Sequence, residues 1–178
     1  MAVITLMLAG DVMTGRGIDQ IMRHPSPPEL HEDYVKSALD YVRLAEAANG
    51  PIPRDVPAAY VWGDMPGAVG PFRPELRIVN LETAVTRSAQ AWPKGINYRM
   101  HPGNIDCLTA AGIDCCVLAN NHVLDWREAG LLETLESLAA AGVATAGAGR
   151  TSEEATAPAV LPIGGGGRLL VHAFACAS

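Results

Sequence analysis

The side chains best suited to chemistry stand at the ends of three apolar runs. Asp11 follows the first run, Glu82 ends the second, and the pair Asn121-His122 follows the third. Two carboxylates, an amide oxygen and an imidazole form a hard, oxygen-rich ligand set that suits Mn²⁺, Mg²⁺, Fe or Zn²⁺. If the three runs are neighbouring parallel strands, these side chains meet at one edge of a sheet. The sequence therefore predicts a metal site, with metal-assisted hydrolysis or group transfer as its chemistry.

The segment GDVMTGRG at residues 10–17 raises the alternative of a phosphate-binding loop. Its spacing imitates the P-loop pattern, but Arg16 replaces the lysine and Gly17 stands where the magnesium-binding hydroxyl belongs. The carboxylate of Asp11 would also repel a triphosphate packed against the loop. The segment fits better as a metal-ligand aspartate followed by Arg16 as an anion clamp, since a guanidinium grips carboxylates and phosphates in a bidentate way.

Each candidate side chain also has a purely structural interpretation. Asp11 could cap the turn that follows it, and His122 could be a hydrogen-bonded histidine near the surface. Asp125 with Glu128 forms the D-x-x-E pattern of a capping box, which predicts Asp125 as the cap of the next helix. Three runs that end in the same kind of side chain nevertheless favour a common site.

Strands and helices must alternate to bring these residues together. Apolar runs rich in β-branched residues predict buried strands, the first of them buried on both faces, and helical spacing predicts the intervening helices. The predicted strands are 2–9, 76–82, 114–119, 143–147, 158–163 and 168–175, and the predicted helices are 15–23, 31–49, 105–112 and 126–142. This alternation indicates an α/β domain with a mainly parallel central sheet flanked by helices. A proline-rich segment, 50–75, separates the helix 31–49 from the strand 76–82 and is predicted to be an ordered loop.

Composition and charge exclude several classes of protein. The chain has 178 residues, 49% of them hydrophobic, which favours one folded domain over a disordered chain. Its net charge of −6 and scattered basic residues disfavour nucleic acid as a partner. The sequence has no signal peptide and no membrane span, so a cytoplasmic location is expected. The four cysteines form no CxxC pair and are predicted to be buried free thiols.

The blocks GDVMTGR, VNLET, LANNHVLDW and GVATAGAG together resemble the CapA-type family of capsule and poly-γ-glutamate biosynthesis proteins. That family is itself similar to the calcineurin-like metallophosphoesterases. The resemblance implies that Asp11 and Glu82 are metal ligands, that Asn121 is an amide ligand, and that His122 is a ligand or the catalytic acid. It also implies one or two divalent ions, with Arg16 holding the anionic part of a small substrate or of poly-γ-glutamate.

The sequence departs from the family pattern in two places. The first metal block of the phosphoesterases reads D-x-H, and Met13 occupies its histidine position, which removes one ligand. Family members also continue to a late His-x-Gly-x-Glu block, whereas this chain ends at FACAS. We therefore expect residues 1–178 to be a single domain that is the N-terminal portion of a larger αββα sandwich, with 50–75 as an insertion near the mouth of the site.

Two functions remain open from the sequence. One is a metal-dependent hydrolase that acts on a phosphate ester or a γ-linked amide. The other is a non-catalytic component that binds or assembles an anionic polymer, and the missing histidine and late block favour it. A chain that folds but is inert is a third possibility, and the sequence does not predict the oligomeric state.

Overall fold

Four parallel strands form the central sheet of the computed structural model, which describes residues 3–176. The strands of the chain are Leu6–Val12 (β1), Leu76–Leu81 (β2), Ala84–Val85 (β3), Arg99–Met100 (β4), Cys115–Val117 (β5), Ala144–Ala146 (β6), Ala159–Ile163 (β7) and Gly167–Val171 (β8). The central sheet has the order β1-β2-β5-β6, and every neighbouring pair is parallel. The predicted α/β fold with a parallel sheet is confirmed.

In the described part of the chain, six α-helices accompany the strands. They are Arg16–Ile21 (α1), Ala38–Asn49 (α2), Met65–Val69 (α3), Asp106–Ala110 (α4), Arg127–Ala140 (α5) and Ser152–Thr156 (α6). The side chain of Ser37 caps α2 by accepting from the Leu39 amide, and Gly50, with a φ of 85°, ends it. Among residues 3–176, no helix combines the length and apolar character that crossing a membrane requires.

The sheet separates two apolar clusters. Side chains alternate across a strand, so Val79 and Cys116 face the helices while Ile78 and Cys115 face the antiparallel hairpin of β7 and β8. All four cysteines are free, and Cys107, Cys115 and Cys116 are buried, as predicted. Cys176 is exposed, so the prediction of burial is wrong for it, because it lies beyond the last strand, outside the packed sheet. The core therefore holds the carboxyl ends of β1, β2 and β5 in fixed positions from both sides.

The first strand differs from its prediction. Within the described residues it covers Leu6–Val12 rather than 2–9, and residue 2 lies outside them. It pairs with β2 alone and forms the edge of the sheet, where Leu8 is 71% exposed. The prediction of burial on both faces is wrong, because an apolar run does not reveal whether a strand lies at the edge or in the centre.

The predicted helix 31–49 is helical only in its second part. Residues before Ser37 form a loop that is held by a bridge between Glu29 and Ser37 and by a hydrogen bond from the Leu30 amide to the Lys36 carbonyl. Within this loop, Glu32 is 1% exposed. A buried carboxylate needs a partner, and the loop conformation allows Glu32 to reach one on α1.

The proline-rich segment 50–75 is ordered, as expected. It contains two 3₁₀ turns, Ala58–Trp62 and Gly70–Phe72, and the short helix α3. The Trp62 indole donates to the carbonyl of Cys107 at 2.7 Å, and the Val56 amide donates to the carbonyl of Ile21 at 3.1 Å. The segment is therefore fastened to α4 and to the end of α1.

Candidate functional site

The polar strand ends converge as the parallel sheet requires. The Asn80 amide donates to the carboxylate of Asp11 at 2.7 Å, and the Asn120 amide donates to the side-chain oxygen of Asn80 at 3.0 Å. The backbone amide of Glu82 donates to the carbonyl of Val12 at 3.0 Å. A continuous line of amide groups therefore joins the ends of β1, β2 and β5.

Two carboxylates face each other on this line. Asp11 is exposed, whereas the side chain of Glu82 is 18% exposed. Burial raises the pKa of Glu82 above its ordinary value, and the negative charge of Asp11, close enough to share a hydrogen bond, raises the pKa further. Two acids held this close favour either a shared proton or a cation between them.

His122 links this acid pair to a third carboxylate. Its Nε2 lies 3.6 Å from the Glu82 Oε1, and its Nδ1 lies 2.7 Å from the Asp125 Oδ2. An ionised Asp125 carboxylate can only accept hydrogen bonds, so this pairing favours the tautomer in which Nδ1 carries the proton and Nε2 faces Glu82. We name Asp11, Glu82, His122 and Asp125 the polar row.

Asp125 is not the helix cap that its sequence pattern predicts. Helix α5 begins at Arg127, and its N-cap residue Trp126 makes no side-chain capping bond. The fully buried Asp125 carboxylate instead accepts from the Tyr98 amide at 2.6 Å and pairs with the Lys94 ammonium at 2.6 Å. The capping-box interpretation is wrong, because Asp125 lies three residues after His122 and its carboxylate bonds the imidazole ring instead of the first amides of α5.

Tyr98 is a neighbour of His122 that sequence reasoning missed. Its ring stacks on the imidazole with a centroid separation of 4.0 Å and an interplanar angle of 21°. The guanidinium carbon of Arg16 lies 4.8 Å from the centroid of the Tyr98 ring and 4.9 Å from that of the Tyr41 ring. Burial raises the pKa of the Tyr98 hydroxyl, which keeps it neutral. No motif marks Tyr98, since its position depends on the short β3–β4 pair.

Arg16, the predicted anion clamp, already has an anionic partner within the protein. Its guanidinium lies 2.6 Å from Glu32, whose other oxygen accepts from the Tyr41 hydroxyl at 2.5 Å. Burial lowers the pKa of Arg16, but Glu32 and the two tyrosines more than offset this and raise it overall. Arg16 therefore stays charged, and its charge is balanced by a buried carboxylate. Its role as an anion clamp stays a prediction.

The predicted metal ligands are brought together only in part. Asp11, Glu82 and His122 lie in the polar row. Asn121 is exposed, and its backbone carbonyl accepts a hydrogen bond from the Lys94 ammonium at 2.6 Å. Met13 turns its sulfur toward the Gly15 amide at 3.2 Å, within its own loop.

The donor chemistry of the row fits a hard divalent cation. Two facing carboxylates and a nearby amide oxygen are ligands that Mg²⁺ and Mn²⁺ prefer, and a cation would relieve the repulsion between the acids. Over residues 3–176, however, no three His, Cys, Asp or Glu side chains are arranged to hold an ion together. A bound cation would therefore take most of its ligands from water, amides or substrate.

Comparison with known proteins relates the chain to capsule synthesis. A family model described as bacterial capsule synthesis protein PGA_cap matches residues 5–178. Two relatives, from the CDC 1551 / Oshkosh and ATCC 25618 / H37Rv strains of Mycobacterium tuberculosis, are each named probable polyglutamine synthesis accessory protein. Each is 42% identical to the chain over 177 residues, which cover 99% of this chain and 47% of the relative. The chain thus spans about half the length of these curated relatives.

Proposed function

The chain belongs to the family of bacterial capsule synthesis proteins, and on that premise we propose that its polar row is a divalent-cation-dependent hydrolytic site. The proposal places this site in the synthesis of a glutamate-type capsule polymer. One observation carries it: His122 is held between the buried Asp125 and Glu82, with Nε2 directed to the acid pair. A histidine that only stabilised the fold would not need a carboxylate at both ring nitrogens.

Asp11 and Glu82 are the residues that would hold the cation. A divalent ion bound there would polarise a substrate oxygen and would lower the pKa of a bound water toward neutrality. The substrate class is a phosphate ester or a γ-linked amide, both of which develop negative charge on oxygen during hydrolysis. The amide line through Asn80 keeps Asp11 aimed at this position.

His122 moves the proton in this proposal. With Nδ1 donating to Asp125, the remaining lone pair is on Nε2, which can accept a proton from water and return it to the leaving group. Asp125 fixes the tautomer and stabilises the imidazolium once it forms. Tyr98 covers one face of the ring and restricts its rotation.

A second candidate function is a non-catalytic component that binds or assembles the polymer. It is favoured by the word accessory in the relatives' names and by the lack, within the described residues, of a cluster of three ionisable ligands. In that case the row binds carboxylates of the polymer, and other proteins supply the catalysis.

Hydrolysis assays separate the two functions. The purified chain is incubated with bis(p-nitrophenyl) phosphate and with a short γ-glutamate oligomer, in Mn²⁺ or in EDTA. We expect Mn²⁺-dependent turnover of one substrate that falls about 100-fold in His122→Ala and in Asp11→Asn. Arg150→Ala is the control, because Arg150 is exposed and pairs only with Glu136 among described residues. Turnover that survives EDTA or both site variants contradicts the hydrolase, and absence of turnover leaves the second function.

A further inference from the structure

A groove of about 540 Å³ opens beside the polar row, between the loop 89–95 and the beginning of α5. Its polar and aromatic lining consists of His31, Gln90, Trp92, Lys94 and Arg127. Among the residues that the structure places in this wall, there is no Asp or Glu. A wall of this composition is unexpected in a chain with a net charge of −6.

The loop that forms the groove is fastened directly to Asp125. The Trp92 amide donates to the Asp125 carbonyl at 2.7 Å, and the Asn97 side chain donates to the carbonyls of both residues at 3.0 Å. The Lys94 ammonium contacts the Asp125 carboxylate and lies 3.4 Å from the His122 Nδ1. The groove is therefore preformed, and its inner end is next to the polar row.

Arg127 supplies a positive charge to the groove, and within residues 3–176 it forms no ion pair. Its guanidinium lies 5.2 Å from the centre of the exposed Trp92 ring. Its backbone has a φ of 56°, a conformation that residues other than glycine rarely adopt. By contrast, the exposed Arg87 and Arg150 are each paired with a glutamate. The Lys94 charge is balanced by Asp125, so Lys94 is a secondary contact.

We propose that this groove is a binding subsite for a polymer strand that carries carboxylates. A guanidinium binds a carboxylate through paired hydrogen bonds, and a tryptophan ring packs against the methylene groups between successive charges. The inference rests on the proposed function, because the groove adjoins the polar row through Lys94, which lines the groove and pairs with Asp125. It also discriminates between polymers: a polyglutamine strand offers neutral amides, so a polyglutamate strand binds more tightly.

Calorimetric titration tests the subsite without requiring catalysis. A short γ-glutamate oligomer and its amide counterpart of equal length are titrated into the chain at low and at physiological salt. The carboxylate oligomer binds at least about tenfold more tightly than the amide, and added salt weakens it. Arg127→Ala and Trp92→Ala each weaken its binding about tenfold, whereas Arg150→Ala leaves it unchanged.

The outcomes for the subsite and for the hydrolase are distinguishable. Equal affinity for the two oligomers, or unchanged affinity in both groove variants, overturns the subsite even if hydrolysis is observed. Absence of binding to the unmodified chain overturns it as well. Conversely, tight binding that depends on Arg127 supports the subsite even if hydrolysis is never detected.

Discussion

Arg16 and Arg127 are held in opposite ways although they have much in common. Both have a positive φ, of 50° and 56°, and both lie over aromatic rings. Arg16 is 16% exposed and is paired with the buried Glu32, whereas Arg127 is exposed and contacts Trp92. Each arginine contacts a neighbour of His122: Arg16 lies over the Tyr98 ring, and Arg127 lies over Trp92 in the loop 89–95, whose Lys94 is near His122.

This difference indicates that the Arg16 charge stabilises the structure of the site, whereas the Arg127 charge can pair with a ligand. A cation whose counter-ion is buried cannot exchange it for a ligand without leaving that carboxylate alone in the interior. A cation that is held only by a ring keeps its hydrogen-bond donors for an incoming anion. We therefore expect Arg16 to fix the shape of the site and Arg127 to contact what binds there, while a role of Arg16 as an anion clamp stays a prediction.

The largest expected effect is on stability. Removing the negative charge in Glu32→Gln leaves Arg16 unpaired, and we expect a loss of about 3 kcal/mol in the free energy of unfolding. Arg127→Ala should change it by no more than about 0.5 kcal/mol. Urea denaturation of both variants measures the difference, and equal losses would remove the distinction between the two arginines.

The next effect concerns the link between the two regions, Asp125. Asp125→Asn can no longer hold the His122 proton on Nδ1, so kcat for Mn²⁺-dependent hydrolysis should fall about 100-fold. The exposed Asp64→Asn is the matched control, with unchanged kcat. Full activity in a folded Asp125→Asn variant would show that His122 does not depend on this carboxylate.

A smaller effect is expected at Tyr98, which joins Arg16 to His122. Tyr98→Leu removes the stacked ring and should lower kcat about fivefold, since aromatic stacking contributes about 1 kcal/mol. Tyr98→Phe keeps the ring and should restore most of the activity. If the two variants are equally impaired, the hydroxyl rather than the stack is what matters.

The smallest effect is expected at Glu133, which pairs with the exposed Arg87. Burial alone would raise the pKa of Glu133, but hydrogen bonds from Thr86 and Arg87 lower it below 4.5. A lowered pKa stabilises the fold above pH 4.5, and this contribution disappears as the pH falls through the folded-state pKa. Glu133→Gln should therefore cost about 1 kcal/mol at neutral pH and progressively less below pH 4.5. A loss that is independent of pH would assign the effect to packing.

The sequence was sufficient for the frame of the site and not for its contacts. Apolar runs and the geometry of parallel sheets placed Asp11, Glu82 and His122 together, because strand direction alone brings those ends to one edge. The same runs could not show that β1 is an edge strand, since that depends on which other strands pair with it.

The roles of three residues depended on contacts that are distant in the sequence. Asp125 was predicted as a cap, because capping and pairing with His122 use the same local spacing. Glu32 fell within a predicted helix, and its pairing with Arg16 arises only when that segment forms a loop. Tyr98 reaches His122 through β4, a strand of two residues that leaves no periodic signal.

Titration of Mn²⁺ into the purified chain and into Glu82→Gln tests the central claim most directly. If the facing carboxylates form a cation site, the unmodified chain binds the ion saturably, and the variant binds it at least about tenfold more weakly while unfolding at a similar temperature. Absence of saturable binding, or equal affinity in the two proteins, would contradict the claim that the polar row is built around a cation.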